Sequence, residues 1–112
     1  MSELEIVELK VGEGKTAVKG ALITTHYEGF LADGTKFDSS VDKNKPFQCV
    51  IGTGRVIKGW DQGILGMNVG GKRKLIVPAH LAYGERSMGK VIPANSDLIF
   101  EIELLEVLTR DD

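Results

Sequence analysis

Cysteine, aromatic residues, long apolar runs and excess charge are all scarce in this chain, and each scarcity closes off a class of protein. Cys49 is the single cysteine among 112 residues. An internal disulfide framework is therefore excluded, which fits a reducing compartment. Fourteen Lys and Arg face sixteen Asp and Glu, a formal net charge of −2. Such a balance gives no electrostatic reason to expect nucleic acid or an acidic membrane surface as partner. The densest basic run, Lys72-Arg73-Lys74, leads straight into Leu75-Ile76-Val77 and reads as the solvated start of a strand. No apolar run approaches the ~18 residues that crossing a bilayer requires. Met1-Ser2-Glu3-Leu4-Glu5 lacks the basic-then-apolar pattern of a secretory signal. The expectation is a soluble, cytoplasmic protein. Seven aromatics, four Phe, two Tyr and one Trp, are enough for one specialised site or a scattered core, but hardly for both.

What the chain does have is glycine, 14 of 112 residues, against a usual ~7%. Many turns, and hence strands rather than a helix bundle, follow from that. The length fits one domain, residues 1–112, with no internal repeat or linker. Leu4-Glu5-Ile6-Val7-Glu8-Leu9 alternates with a slip at Ile6-Val7, which predicts a half-buried strand with a bulge. Ala21 to Leu31 is rich in β-branched and aromatic residues and ends at the hairpin signal Ala32-Asp33-Gly34-Thr35, with Lys36-Phe37-Asp38 returning. Pro46 to Ile51 and Lys72 to Val77 read as further strands. Leu98, Phe100, Ile102 and Leu104, alternating with Glu101 and Glu103, form the clearest period-2 signal. Only Ile57, Trp60, Ile64 and Met67 fall at helical spacing, with Gly66 as the stop. Gly59 and Gly63 weaken that helix by up to ~1 kcal/mol each, so it must lean on a sheet, with Trp60 as anchor. The fold class is α+β, about five antiparallel strands around one short α-helix.

The usual catalytic constellations fail one after another. Gly52-Thr53-Gly54-Arg55-Val56-Ile57 begins like a dinucleotide fingerprint, but its third glycine position is Ile57 and no βαβ unit surrounds it. His26 and His80 are the only histidines, with no zinc-ligand spacing around them. Cys49, His26 and Asp38 form a nucleophile triad on paper only. A lone cysteine within an apolar strand reads as a small hydrophobe, and a mid-strand histidine as structural. An enzyme built from this sequence works without a nucleophile, metal or cofactor.

Seven fragments stand in a telling order: Tyr27-Glu28-Gly29, Asp33 to Ser40, Asn44-Lys45-Pro46-Phe47, Val56 to Asp61, Ala82-Tyr83-Gly84, Val91-Ile92-Pro93, and Leu98 to Leu105. Their spacing, from about Leu4 to Val107, closely resembles a minimal FK506-binding-protein-type peptidyl-prolyl cis–trans isomerase. The resemblance implies an antiparallel sheet bent into a half barrel around a short helix. It also implies rotation of Xaa-Pro bonds in peptides and folding proteins, without covalent catalysis, cofactor or metal. By the same resemblance Tyr27, Phe37, Phe47, Trp60 and Phe100 line an apolar pocket, with Trp60 as floor and Val56, Ile57, Val91 and Ile92 as aliphatic walls. Asp38 and Tyr83 become the catalytic polar groups. The Tyr83 hydroxyl and the Ile57 backbone N–H hold substrate carbonyls, and Asp38 orients groups at the rim.

The implied partners are proline-containing peptides and proteins and macrolides of the FK506 and rapamycin class, met by a monomer. The competing reading is a non-catalytic interaction module that docks a partner in the same pocket. Asp38, just before Ser39-Ser40, also reads as a turn residue bonding nearby backbone. Each aromatic, taken singly, reads as core filling.

Overall fold

The computed structural model describes residues 3–89 and 91–110. Six strands, β1 (Glu5–Lys10), β2 (Leu22–Leu31), β3 (Lys36–Ser39), β4 (Phe47–Val50), β5 (Lys72–Val77) and β6 (Leu98–Leu108), form one antiparallel sheet. The order is β1-β5-β6-β2-β3, with β4 also pairing β2. The one α-helix among the described residues, α1 (Lys58–Gly63), packs against β5. The α+β architecture therefore stands, with six strands rather than about five, the sheet remaining open. Among the described residues no helix is long and apolar enough to cross a membrane.

β2 is the organising strand. Its first half pairs with β4, from Leu22 opposite Val50 to Thr25 opposite Phe47, and its second half pairs with β3. The chain leaves the sheet between those partners through the 40–46 loop, which is tied back by reciprocal bonds. Ser40 N–H donates to the Tyr27 carbonyl at 2.9 Å, and Tyr27 N–H donates to Ser40 Oγ at 2.7 Å. The hairpin at Asp33-Gly34 closes as expected. Gly34 takes φ +93°, and Thr35 N–H donates to Asp33 Oδ1 at 2.9 Å.

The helix is shorter than its apolar stripe suggests. It ends at Gly63, and Ile64 and Met67 are buried from the turn that follows. Its glycines are spacers as much as weak points. A Cβ on Gly59 would lie 2.5 Å from Val77 Cγ1, and one on Gly63 would lie 2.7 Å from Leu75 Cδ1. Only a glycine face lets the helix axis come this near the sheet. Beyond the helix, Arg73 Nη1 donates to the Gly63 and Leu65 carbonyls at 2.9 Å, and Nε meets the Glu8 carboxylate at 3.0 Å. The middle of the basic run is thus not solvated. Arg73 crosses from β5 to satisfy carbonyls at the helix C-terminus and to hold β1.

β1 also departs from expectation. Every residue is exposed, Ile6, Val7 and Leu9 included, because among the described residues no second layer covers either face of this edge strand. Backbone pairing, not burial, secures it, and its bulge falls between Glu8 and Lys10 rather than at Ile6-Val7. β6 runs on to Leu108. A bulge opposite Thr24 and Thr25 shifts its phase after Leu104, so Val107 rather than Glu106 turns inward. The core is mainly aliphatic, with Ile23, Ile51, Ile64, Leu75, Val77, Leu98, Ile102 and Leu104 fully buried.

Candidate functional site

A basin of about 510 Å³ opens over α1 and is lined by Tyr27, Phe37, Asp38, Phe47, Gly54, Arg55, Val56, Ile57, Trp60, Tyr83 and Phe100. Six of the seven aromatics in the chain meet here, and Phe30 alone stays outside. Each arrives on a different support. Tyr27 comes from β2, Phe37 and Asp38 from β3, Phe47 from β4, Trp60 from α1, Phe100 from β6, and Tyr83 from the loop after β5. The volume suits a small organic ligand or a peptide segment.

Trp60, 5% exposed, is the hub. Its ring lies edge-to-face with Tyr27 at 5.1 Å, Phe100 at 5.3 Å and Phe47 at 5.7 Å. Phe37 extends the array through Phe100 at 5.8 Å. T-shaped pairs at such separations are each worth about 0.5–1.5 kcal/mol beyond area burial, so the basin's walls hold one another. Room for the array depends on Gly29. A Cβ there would come 2.7 Å from Phe37 Cζ and 3.0 Å from Phe100 Cε1.

The polar groups divide into engaged and free. Asp38 is engaged: Tyr27 Oη–H donates to Oδ2 at 2.6 Å, Ser39 N–H donates to Oδ1 at 2.9 Å, and Lys43 Nζ meets Oδ1 at 2.7 Å. Partial burial pushes the Asp38 carboxyl up, but the Lys43 ammonium and the Tyr27 hydroxyl outweigh it and hold the group below the usual carboxylate range. Burial first, then the Asp38 carboxylate, raises both Tyr27 and Tyr83, so each is a neutral phenol at physiological pH. The Tyr83 hydroxyl has no hydrogen-bond partner among the described residues. The Trp60 indole N–H is likewise a buried donor without a partner.

One wall is preset by its own loop. The Asp61 carboxylate accepts from Gly52 N–H at 2.7 Å and from Gly54 N–H at 2.8 Å, and both glycines take positive φ. This clamp fixes the turn that carries Arg55, Val56 and Ile57. The Ile57 carbonyl accepts from Trp60 and Asp61 N–H, and its own N–H lies ahead of the helix, with no acceptor inside it. Gly54 and Arg55 escaped sequence reasoning. The usable signal was a Gly-x-Gly turn immediately before the helix.

Val91 and Ile92 do not join the lining. Met88 and Ile92 exchange backbone bonds at 2.9 and 3.2 Å, which turns the Ile92 side chain into the core and leaves Val91 51% exposed. The paper triad does not assemble either. Cys49 stands opposite Ile23, on the face that Tyr27 shares, whereas His26 points from the other face and bonds Ser40 Oγ through Nδ1 at 2.9 Å. Burial, helped by Asp61, pushes the Cys49 thiol up to about 11, too high for a nucleophile. Among the described residues no cluster of His, Cys, Asp and Glu is arranged to hold a metal.

Comparison with known proteins points one way. A family model described as FKBP-type peptidyl-prolyl cis-trans isomerase matches residues 13–105. The chain is 55% identical over 107 residues to an FK506-binding protein of Neisseria meningitidis serogroup A, covering 96% of this chain and 98% of that protein. It is 53% identical over 94 residues to Peptidyl-prolyl cis-trans isomerase FKBP2 of Mus musculus, covering 84% and 67%. The crystal structure of AtFKBP13 matches with a TM-score of 0.86 at 46% identity, over 92% of this chain and 91% of that one. FkpA from Escherichia coli matches with a TM-score of 0.85 at 36% identity, over 94% and 48%.

Proposed function

The chain belongs to the FKBP-type peptidyl-prolyl cis-trans isomerase family, and on that premise we propose that the aromatic basin binds proline-containing segments and accelerates rotation about their Xaa-Pro bonds. Rotation breaks no covalent bond; it removes amide resonance against a barrier of roughly 18–20 kcal/mol. The planar amide is polarised and well solvated by water, and the twisted amide has lost that charge separation. A basin walled by six aromatic rings therefore disfavours the planar form more than the twisted one, which lowers the barrier. Each tenfold in rate needs ~1.4 kcal/mol of this difference. The concentration of rings around Trp60 is the observation that carries the reading.

The remaining groups have positional roles. Trp60 forms the floor beneath the proline ring, and the Ile57 N–H and the Tyr83 hydroxyl hold substrate carbonyls. Asp38, already bonded three ways, keeps Tyr27 and the rim in place rather than moving a proton. Macrolides of the FK506 and rapamycin class occupy the same basin. The basin is complete within one chain, which supports a monomer, and the single cysteine supports a cytoplasmic setting.

A proline-peptide isomerisation assay with and without an FK506-class macrolide tests this reading. Acceleration that the macrolide abolishes is expected. A folded protein that binds the macrolide but accelerates nothing would overturn the catalytic reading and leave a docking module.

A further inference from the structure

Among the described residues two charged side chains line the basin, Asp38 and Arg55, and they are differently placed. Asp38 is offset by Lys43 and bonded by Tyr27 and Ser39. Arg55 is exposed at the mouth and has neither an ion pair nor a side-chain hydrogen bond among the described residues. The nearest acid on its own segment, Asp61, is occupied by the Gly52 and Gly54 N–H groups. The charge left for a visitor is therefore positive, on a protein whose net charge is −2. The backbone presenting it is fixed, since Gly54 at φ +79° is both turned and clamped.

Resting on the isomerase reading above, we propose that Arg55 is a specificity-determining residue that gives the basin a preference for proline segments with an acidic side chain close to the proline. A guanidinium is planar, permanently charged and matched to a carboxylate in bidentate geometry. Two residues of extended chain span ~7 Å, comparable to the reach of an arginine from its own backbone. With the proline ring over Trp60, the carboxylates within reach of Arg55 are those within about two positions of the proline. An exposed pair of this kind discriminates modestly, and salt screens it.

The experiment measures kcat/KM for peptides that carry Glu, Ala or Lys one or two positions to either side of proline, at low and high salt. Binding of the same peptides is followed by Trp60 fluorescence. At low salt Glu is expected to exceed Lys about two- to five-fold at one or more positions. The ratio should collapse at high salt, and Arg55→Glu should reverse it. Lys58→Glu, three residues further along the chain, should leave most of it intact. An equal Glu-to-Lys ratio in the unmodified protein and in Arg55→Glu overturns the proposal, and so does loss of the preference in Lys58→Glu alone. If no peptide is turned over, the binding ratios decide the role of Arg55. If none is bound either, the basin reading fails with it.

Discussion

The Tyr27 hydroxyl and the Asp38 carboxylate meet at 2.6 Å across β2 and β3, and each shifts the titration of the other away from neutrality. Burial first, and then this bond, keeps the phenol protonated, while the Lys43 ammonium and the same bond keep the carboxyl ionised against its own burial. The rim of the basin thus holds a fixed charge pattern over the whole range in which a cell works.

That pattern gives a flat pH profile. Asp38 is held below its usual range, so the stability it contributes is fully present above the unfolded value of ~3.9 and is lost as pH falls through the lower folded one. Tyr27 is raised, so its contribution is present below ~10 and is lost on going more alkaline. Isomerase kcat/KM should be constant between about pH 5 and 9. An inflection near pH 6–7 would mean that a group with a histidine-like pKa participates. In acid, Tyr27→Phe should show a weaker fall of stability with pH than the parent, measured by denaturant titration.

Tyr83→Phe should lower kcat/KM by about two- to ten-fold, the worth of one net hydrogen bond, and Asp38→Val, which releases Tyr27 and Lys43 from their partner, should lower it at least as much. Tyr83→Phe should leave the melting temperature unchanged, because the hydroxyl it deletes bonds nothing among the described residues. Parent-like rates in both variants would refute the assignment of these polar groups.

Gly59→Ala should destabilise the protein although alanine is the better helix former by ~1 kcal/mol. The new methyl would meet Val77 Cγ1 at 2.5 Å and Cγ2 at 2.9 Å, and the stiff χ1 of a β-branched side chain resists moving both away. Overpacking of this kind costs about 1–3 kcal/mol. Equilibrium unfolding decides the sign, and a stabilised Gly59→Ala would show that helix and sheet can separate without loss.

Asp61→Ala removes both bonds that hold the 52–54 turn. Charge-assisted bonds of this type are worth about 1.5–3 kcal/mol each when partly shielded. The variant should lose stability and raise KM, because Val56 and Ile57 no longer arrive in place. An unchanged KM with reduced stability would confine Asp61 to folding.

Much of this arrangement was legible in the chain because it rests on local patterns. The alternation from Leu98 to Leu104 and the Asp33-Gly34 turn appear where the sequence places them, whereas the gathering of the rings into one pocket follows from the family resemblance and from no local period. What escaped depends on distant partners. Arg73 looks solvated until β5 is laid beside α1 and β1, where it becomes a brace. β1 reads as half-buried because its alternation says nothing about whether a second layer will cover it. The resemblance implies Val91 and Ile92 as walls, and no local pattern reveals the Met88–Ile92 bridge beside which Ile92 is buried and Val91 exposed. Arg55 was hidden because a charged residue in a glycine-rich turn carries no period.

β6, which runs from Leu98 to Leu108, lies not at an edge but in the middle of the sheet, between β5 and β2. Until those residues have been synthesised, β1 with β5 and β2 with β3 and β4 are two separate ribbons lacking a shared neighbour. Such non-local pairing makes for slow folding dominated by chain closure. Phe100 travels on the same strand and supplies a wall of the basin. A chain cut before Leu98 would therefore lack both the strand that joins the two ribbons and one wall of the basin.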